Sequence, residues 1–485
     1  GMRPGSSERN HPAERPTTIL SGSMAPAAVP HVALLPSSGM GHLTPFLRLA
    51  AALASHGCVI TFITPTPVVS AAEARHVEAF ISSSPLFRRL EFPLLPFDVS
   101  SVVSDDPFFL QFERISRSAR HLGPVLSSVS PPLSALILDV TLTSSILPIA
   151  AEISLPAYIL FTSSAGMLSL CLSYPEIAAS GGVTIKIPGV AEDLAPSSLP
   201  QPLRDPRNLF TGQFIENGRA MARADGIIIN TWEALEPATL AALQGSKAVS
   251  GFPLVIPVGP LLAASDIHTA ADDLVIPWLD AQPASSVVFV SFGSRTALSA
   301  EQLRELAAGL ESSGCRFLWV LKTKKVDRED QEGEKAVDEL LGEGFLQRVE
   351  WKGKVVSGWV DQRAVLDHPS VGGFVSHCGW NSVTEAALGG MRVLAWPRHG
   401  DQRINAMVVE KSGLGKWPSL WTWEGDDEIV RREEIAGRVA ELMASPAAAA
   451  AAAKVKEEAV RAATAGGSSQ RQLEDLVSRF TCSGD

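Results

Sequence analysis

Cysteine is scarce and scattered in this sequence. The five residues, Cys58, Cys171, Cys315, Cys378 and Cys482, form no C-x-x-C pair, which argues against a disulfide framework or a zinc site and favours a reducing, cytoplasmic setting. Positive charge is short as well: 41 Lys and Arg face 52 Asp and Glu, a net charge of -11, so no cationic surplus is available to grip a nucleic acid or an anionic membrane. The first 30 residues lack the apolar core of a secretory signal; residues 1–23 read as a loose tail, with Met24 a candidate initiator. One long uncharged stretch, Ile153 to Pro175, has the length of a membrane span. Pro156 and the Thr162-Ser163-Ser164 cluster interrupt it, and it reads better as a buried strand over Tyr158–Phe161, a turn and a helix.

What is present describes a folded, soluble chain. With 485 residues, 46% hydrophobic and 19% charged, it is long enough for two domains or a little more. Val32–Leu35, followed by Gly- and Ser-rich punctuation and a helical pattern over Pro45–Ser55, opens an α/β unit. Val59–Ile63, Ala135–Leu138, Tyr158–Phe161 and Gly226–Asn230 continue it as short buried strands of a parallel sheet. Five prolines between Phe252 and Pro283 forbid a long helix or strand and suggest a linker. A second series then begins with Val287–Phe292, an amphipathic helix over Ala300–Ser312, and strands over Phe317–Leu321, Gly373–Ser376 and Val393–Trp396. The charge-dense stretch Lys322–Glu343 reads as an exposed loop and short helix, and the alanine run Ala447–Ala453 as a helix interior. Using one architecture twice places a ligand in the cleft between the halves, beyond the carboxyl ends of both sheets.

The densest chemistry lies between Trp359 and Gln402, above all in HCGWNSVTEAALGG. A strand ending near Ser376 gives way at Gly379 to a helix, so free N–H groups and the positive end of a helix dipole converge on a spot suited to phosphate. His377, Asn381 and Ser382 add side-chain donors, enough to hold a diphosphate without a lysine cluster. Glu385 lies one turn beyond Asn381, about 6 Å along the axis, within reach of a ribose adjacent to that phosphate. Trp359 offers a flat face for a base, while Trp380, Asp401 and Gln402 offer apolar surface with paired acceptors and donors for sugar hydroxyls.

These 44 residues resemble the signature box of plant family 1 UDP-sugar glycosyltransferases, with W-x-x-Q at the start, HCGWNS-x-x-E in the middle and DQ at the end. One departure is Met391-Arg392, where the family usually has Val-Pro. The resemblance implies that Trp359 stacks on uracil and Gln362 lies near the ribose. Val360 and Gly379 join the donor site, His377, Asn381 and Ser382 hold the diphosphate, and Glu385 holds the ribose. Trp380, Asp401 and Gln402 would hold the sugar, and Ser294 would give a further diphosphate contact. It implies the α/β GT-B architecture, two facing Rossmann-like domains with parallel sheets and an interdomain cleft. The expected boundaries are 24–258 for the acceptor domain, 259–277 for a linker and 278–455 for the UDP-sugar domain, with 456–485 returning to the first domain. UDP-glucose would be a cosubstrate; no cofactor or catalytic metal is expected, and no D-x-D pair is present to bind one.

His42 sits in the turn S-S-G-M-G-H directly after the first strand, where it would project into the cleft; Asp139, at the end of Ala135–Leu138, could bond its imidazole. The resemblance makes them general base and partner. Reading Gly39-Met40-Gly41 as a dinucleotide turn fails, because the third glycine falls at Thr44 and no acidic residue ends the second strand near Thr64. A second alternative, a UDP-sugar-binding module without catalysis, is disfavoured by the presence of both His42 and Asp139. Several stretches, among them DDPFFLQFE, ILFTSSAGMLSLC and SFGSRTALSAEQLRELAAGLESSGCRFLWV, are closest to the flavonoid C-glycosyltransferase branch, which implies an inverting transfer of glucose to a ring carbon of a 2-hydroxyflavanone or dihydrochalcone. Transfer to oxygen is the alternative, since the choice turns on acceptor placement of about 1 Å. Phe108, Phe109, Met167 and Tyr174 are candidate walls for a flat phenolic acceptor, with ordinary packing equally open to each. A monomer without nucleic-acid or membrane partners completes the expectation.

Overall fold

The computed structural model describes residues 28–102, 106–181, 184–245, 251–263, 269, 271–324, 333–424 and 428–482. Two parallel sheets organise the chain. The first runs through β1 (His31–Leu35), β2 (Val59–Thr66), β3 (Phe87–Pro93), β4 (Ala135–Asp139), β5 (Ala157–Phe161), β6 (Gly226–Ile229) and β7 (Val255–Pro257), in the order β3-β2-β1-β4-β5-β6-β7. The second takes β8 (Val287–Ser291), β9 (Arg316–Leu321), β10 (Gly353–Ser357), β11 (Val371–Ser376), β12 (Arg392–Ala395) and β13 (Gly415–Lys416), in the order β10-β9-β8-β11-β12-β13. Each order reverses once, at β1/β4 and at β8/β11, and at such a reversal the flanking loops part to leave a crevice.

Continuous apolar strands follow from cover on both faces. Along β1, Ala33 and Leu35 enter one core while Val32 and Leu34 enter the opposite one; along β8, Val287 and Phe289 separate in the same way from Val288 and Val290. The uncharged stretch from Ile153 resolves into β5 and a helix, Ala165–Ser180, and among the described residues no helix is long and apolar enough to cross a membrane.

The helices that matter for the site are α1 (Met40–Ser55), α2 (Ala71–Ser82), α3 (Pro107–Ser118), α4 (Ala165–Ser180), α5 (Asp272–Asp280), α6 (Trp380–Gly389), α7 (Gln402–Lys411), α8 (Pro446–Ala463) and α9 (Ser468–Cys482). Three differ from the sequence reading. Helix α1 begins at Met40, so Pro45 lies inside it and His42 is on its first turn. The proline-rich linker contains β7 and α5, with Pro277 inside the helix. Buried Asp272 of α5 accepts from Thr269 N (2.7 Å) and Asp361 N (2.8 Å), fastening the linker to the loop that bears Trp359.

The third difference concerns the return to the first domain. Helix α8 keeps Ala452, Val455, Ala459 and Ala462 in the second domain's core, so the crossing follows Ala463 instead of falling at 456. Of α8 and α9, it is α9 that enters the first domain, burying Leu473, Leu476 and Phe480 there. The Phe480 ring meets Tyr158 edge-on at 5.5 Å. Replacing Phe480 by Ala is expected to cost about 3–5 kcal/mol of first-domain stability. Leu420→Ala, at a side chain 94% exposed, should stay within about 0.5 kcal/mol. Urea unfolding followed by tryptophan fluorescence checks both.

Candidate functional site

The first half of the site forms where β1 and β4 lie side by side, Leu35 opposite Leu138, so that the next residues of both strands emerge at one rim. Gly39, at φ +104°, turns the chain into α1, and its carbonyl accepts from His42 N (3.0 Å) and Leu43 N (2.9 Å). His42 is thereby fixed with its side chain 31% exposed, and its Nδ1 lies 2.8 Å from Asp139 Oδ2. Asp139 is fully buried; its other oxygen accepts from Thr141 N (2.9 Å) and Thr141 Oγ1 (2.7 Å), which fixes the carboxylate. With Nδ1 donating to Asp139, Nε2 is the ring nitrogen free to take a proton. Burial works against the imidazolium, but the Asp139 charge and hydrogen bond outweigh it and raise the His42 pKa above the ordinary histidine value; Arg295 opposes this and Asp401 adds to it.

The second half forms at β8/β11, with Ser376 opposite Ser291. His377 and Cys378 follow β11, Cys378 bends the backbone at φ +65°, and Gly379 caps α6. Ser294 follows Gly293 in the facing loop and is half-buried. Both Gly293 and Gly379 press on the His377 ring, where an added Cβ at either would come within 2.5 Å of Nε2. Burial and the neighbouring His399 push the His377 pKa down to about 3, so this imidazole is neutral and can offer a hydrogen bond but no charge.

The other expected donor residues are placed differently from one another. Gln362 Nε2 donates to Ser382 Oγ (3.0 Å) and Glu385 Oε2 (2.6 Å), which brings those three together. Trp359 is 42% exposed with its ring edge-on to His76 of α2 at 5.8 Å, leaving indole surface available. Asp401 accepts from Ser163 Oγ, and from Asn405 Nδ2 at 3.0 Å. By contrast, the buried Trp380 indole donates to Asn230 O of the first domain (2.8 Å), so it is no open platform for a sugar. Val360 is a core side chain, and Gln402 Oε1 accepts from Arg398 N (2.8 Å) and His399 N (3.0 Å), shaping the loop before α7.

Of the candidate acceptor walls, Phe108 lies beside Gly39 and carries the Arg295 guanidinium 4.8 Å over its ring. Phe109 is half-buried against Phe112, at 6.0 Å. Tyr174 is spent on structure: its hydroxyl donates to Leu203 O (2.9 Å) and its ring packs edge-on against Phe214 at 5.3 Å. Met167 is buried in the same core.

Sequence reasoning named Asn381 and Glu385 but missed what bonds them across the cleft, and missed Arg295. Arg295 pairs with Asp106 at 2.6 Å, Asn381 Nδ2 donates to Gly41 O at 3.3 Å, and Arg48 pairs with Glu385. Arg48 stands in the apolar run Pro45–Leu53, where a buried cation was the available signal.

Comparison with known proteins agrees with this geometry. Residues 261–417 match the family described as "UDP-glucoronosyl and UDP-glucosyl transferase". The rice protein "UDP-glycosyltransferase CGT" (Oryza sativa subsp. japonica) is 53% identical over 455 residues, spanning 92% of this chain and 95% of its own. This chain belongs to the UDP-glycosyltransferase family. The maize "UDP-glycosyltransferase 708A6" (Zea mays) is similar at 50% identity, over 93% and 97% of the two chains. Among solved structures, "Crystal structure of LpCGTa in complex with UDP" is 94% identical with a TM-score of 0.86, covering 94% of this chain and all of that one. "Crystal structure of TcCGT1 in complex with UDP" is 30% identical with a TM-score of 0.82 over 94% and 100%. The fold is therefore GT-B and the chain is a glycosyltransferase enzyme that uses a UDP-sugar donor.

Gly379→Ala places a methyl group against His377 Nε2. The imidazole has to move by a sizeable fraction of an ångström, and transfer is expected to fall on the order of 10²-fold. Steady-state kinetics against UDP-glucose should show the loss while far-UV circular dichroism stays unchanged.

Proposed function

We propose that this UDP-glycosyltransferase is an inverting C-glucosyltransferase that joins glucose from UDP-glucose to a phloroglucinol-type ring of a flavonoid-related acceptor, a 2-hydroxyflavanone or dihydrochalcone. The observation that carries the base-assisted transfer is the His42 imidazole, held through Nδ1 by buried Asp139 at the same cleft as the residues of the donor box. The sequence stretches closest to the flavonoid C-glycosyltransferase branch supply the acceptor class.

Nε2 of His42 takes a phenolic proton from the acceptor, and Asp139 stabilises the imidazolium that results. Charge moves onto the ring carbon ortho to the phenolate oxygen. That carbon attacks the anomeric carbon from the face opposite UDP, a C–C bond forms as the bond to the diphosphate oxygen breaks, and UDP departs with the electron pair. The ring carbon then releases its hydrogen as a proton and aromaticity returns, leaving a β-C-glucoside from an α-linked donor. Trp359 would stack on uracil, Glu385 and Gln362 would take the ribose, and Asp401 with Gln402 the glucose. The N-terminus of α6, with Asn381, Ser382 and neutral His377, would receive the diphosphate, and Ser294 would add a contact from the facing loop.

Because the active form of the base is neutral and the His42 pKa is raised, kcat/KM with UDP-glucose and phloretin should climb with pH through an inflection above the ordinary histidine value. His42→Ala is expected to lose roughly 10²–10⁴-fold. Asp139→Asn removes the charge that raises the pKa, so its residual rate should inflect at lower pH. Unaltered transfer by His42→Ala would remove the base from the reaction and return the protein to a different chemistry.

A further inference from the structure

We propose that Arg48, a residue of the acceptor domain, is a positioning residue of the donor site: it holds the Glu385 carboxylate from across the cleft, so that ribose recognition and the placement of His42 are set by one helix-to-helix contact. This rests on the reading of Glu385 as the ribose acceptor.

Arg48 and Glu385 have side chains only 6% and 7% exposed, and Arg48 Nη2 donates to Glu385 Oε1. A carboxylate so buried needs a counter-charge. The second domain does not give Glu385 one through Arg363, whose guanidinium bonds the Glu385 backbone carbonyl (3.2 Å) and Asp367 (2.6 Å). The cation comes from α1, six residues beyond the base on the same helix, about 9 Å along its axis.

A second contact registers the same two helices. Pro45 has no N–H to return to the Gly41 carbonyl, the partner an uninterrupted helix would supply. That carbonyl instead accepts from Asn381 Nδ2 at 3.3 Å, one turn before Glu385 on α6. Helix α1 is thus pinned to α6 at both ends of the Asn381–Glu385 turn, and it carries His42 between those points. An ionised carboxylate has about four acceptor sites. Arg48 and Gln362 use two of them, which leaves room for two ribose hydroxyls on an already oriented group. A Glu385 held only by Gln362 would face the same hydroxyls with its charge buried and uncompensated.

The test compares UDP with 2′,3′-dideoxy-UDP by isothermal titration calorimetry on the wild-type protein, Arg48→Met and Arg48→Lys. Met keeps the length of the side chain without its charge, and Lys keeps a charge without the planar fork. Arg48→Met is expected to weaken UDP binding by roughly 5- to 150-fold, the ordinary range of coupling between sites. It should leave 2′,3′-dideoxy-UDP binding unchanged, and the same variant should raise the KM for UDP-glucose without raising that for the acceptor. Arg48→Lys should fall between. In a Glu385→Gln background the effect of Arg48→Met on UDP should vanish. Equal weakening for both nucleotides, or none, overturns the positioning role while the Glu385 reading stands. A wild-type protein that binds the two nucleotides equally overturns both. If Arg48→Met fails to fold by circular dichroism, the same comparison on Arg48→Lys decides.

Discussion

The contact on which the proposed chemistry depends is the 2.8 Å hydrogen bond between His42 and a fully buried Asp139. It exists because the first sheet reverses its strand order between β1 and β4. Residues separated by 97 positions in the chain then emerge from adjacent strand ends at one rim. The carboxylate is fixed from behind by Thr141, so its remaining oxygen has one direction to offer and the imidazole one tautomer to adopt. Burial alone would weaken the base by disfavouring its charged form; the paired carboxylate reverses that sign.

The second sheet repeats the device with a different outcome. At β8/β11 the crevice holds a neutral imidazole, His377, walled by two glycines and backed by the start of α6. One reversal therefore yields an imidazole paired with a carboxylate and the other an imidazole kept neutral by burial. The halves do not merely face each other. Trp380 to Asn230, Asp401 to Ser163, Asn381 to Gly41 and Glu385 to Arg48 tie the donor box to the first domain residue by residue.

Most of this was legible in the sequence where the signal is local. Apolar runs marked the central strands, because strands covered on both faces need them, and the HCGWNS segment marked the start of α6. The edges were harder to see. β3 carries Arg88, Arg89 and Glu91 and lies half-open to solvent, while β13 has two residues, so neither shows an apolar run. Pro45 hid the first turn of α1 and Pro277 hid α5, since a proline reads as a boundary although a helix can carry one inside. The places of Tyr174 and Trp380 were not legible for another reason: whether an aromatic ring faces a ligand or a core is decided by residues far along the chain, Leu203 and Asn230 here. The same distance concealed Arg48, whose partner lies 337 positions away.

The central claim is that the base in this cleft directs a carbon nucleophile at the sugar, and the identity of the new bond tests it most directly. The protein would be incubated with UDP-glucose and phloretin, and the product subjected to acid hydrolysis and tandem mass spectrometry. The account predicts a product that survives hydrolysis and fragments across the sugar ring. A product that releases its whole glucose in acid would contradict it and place the new bond on oxygen.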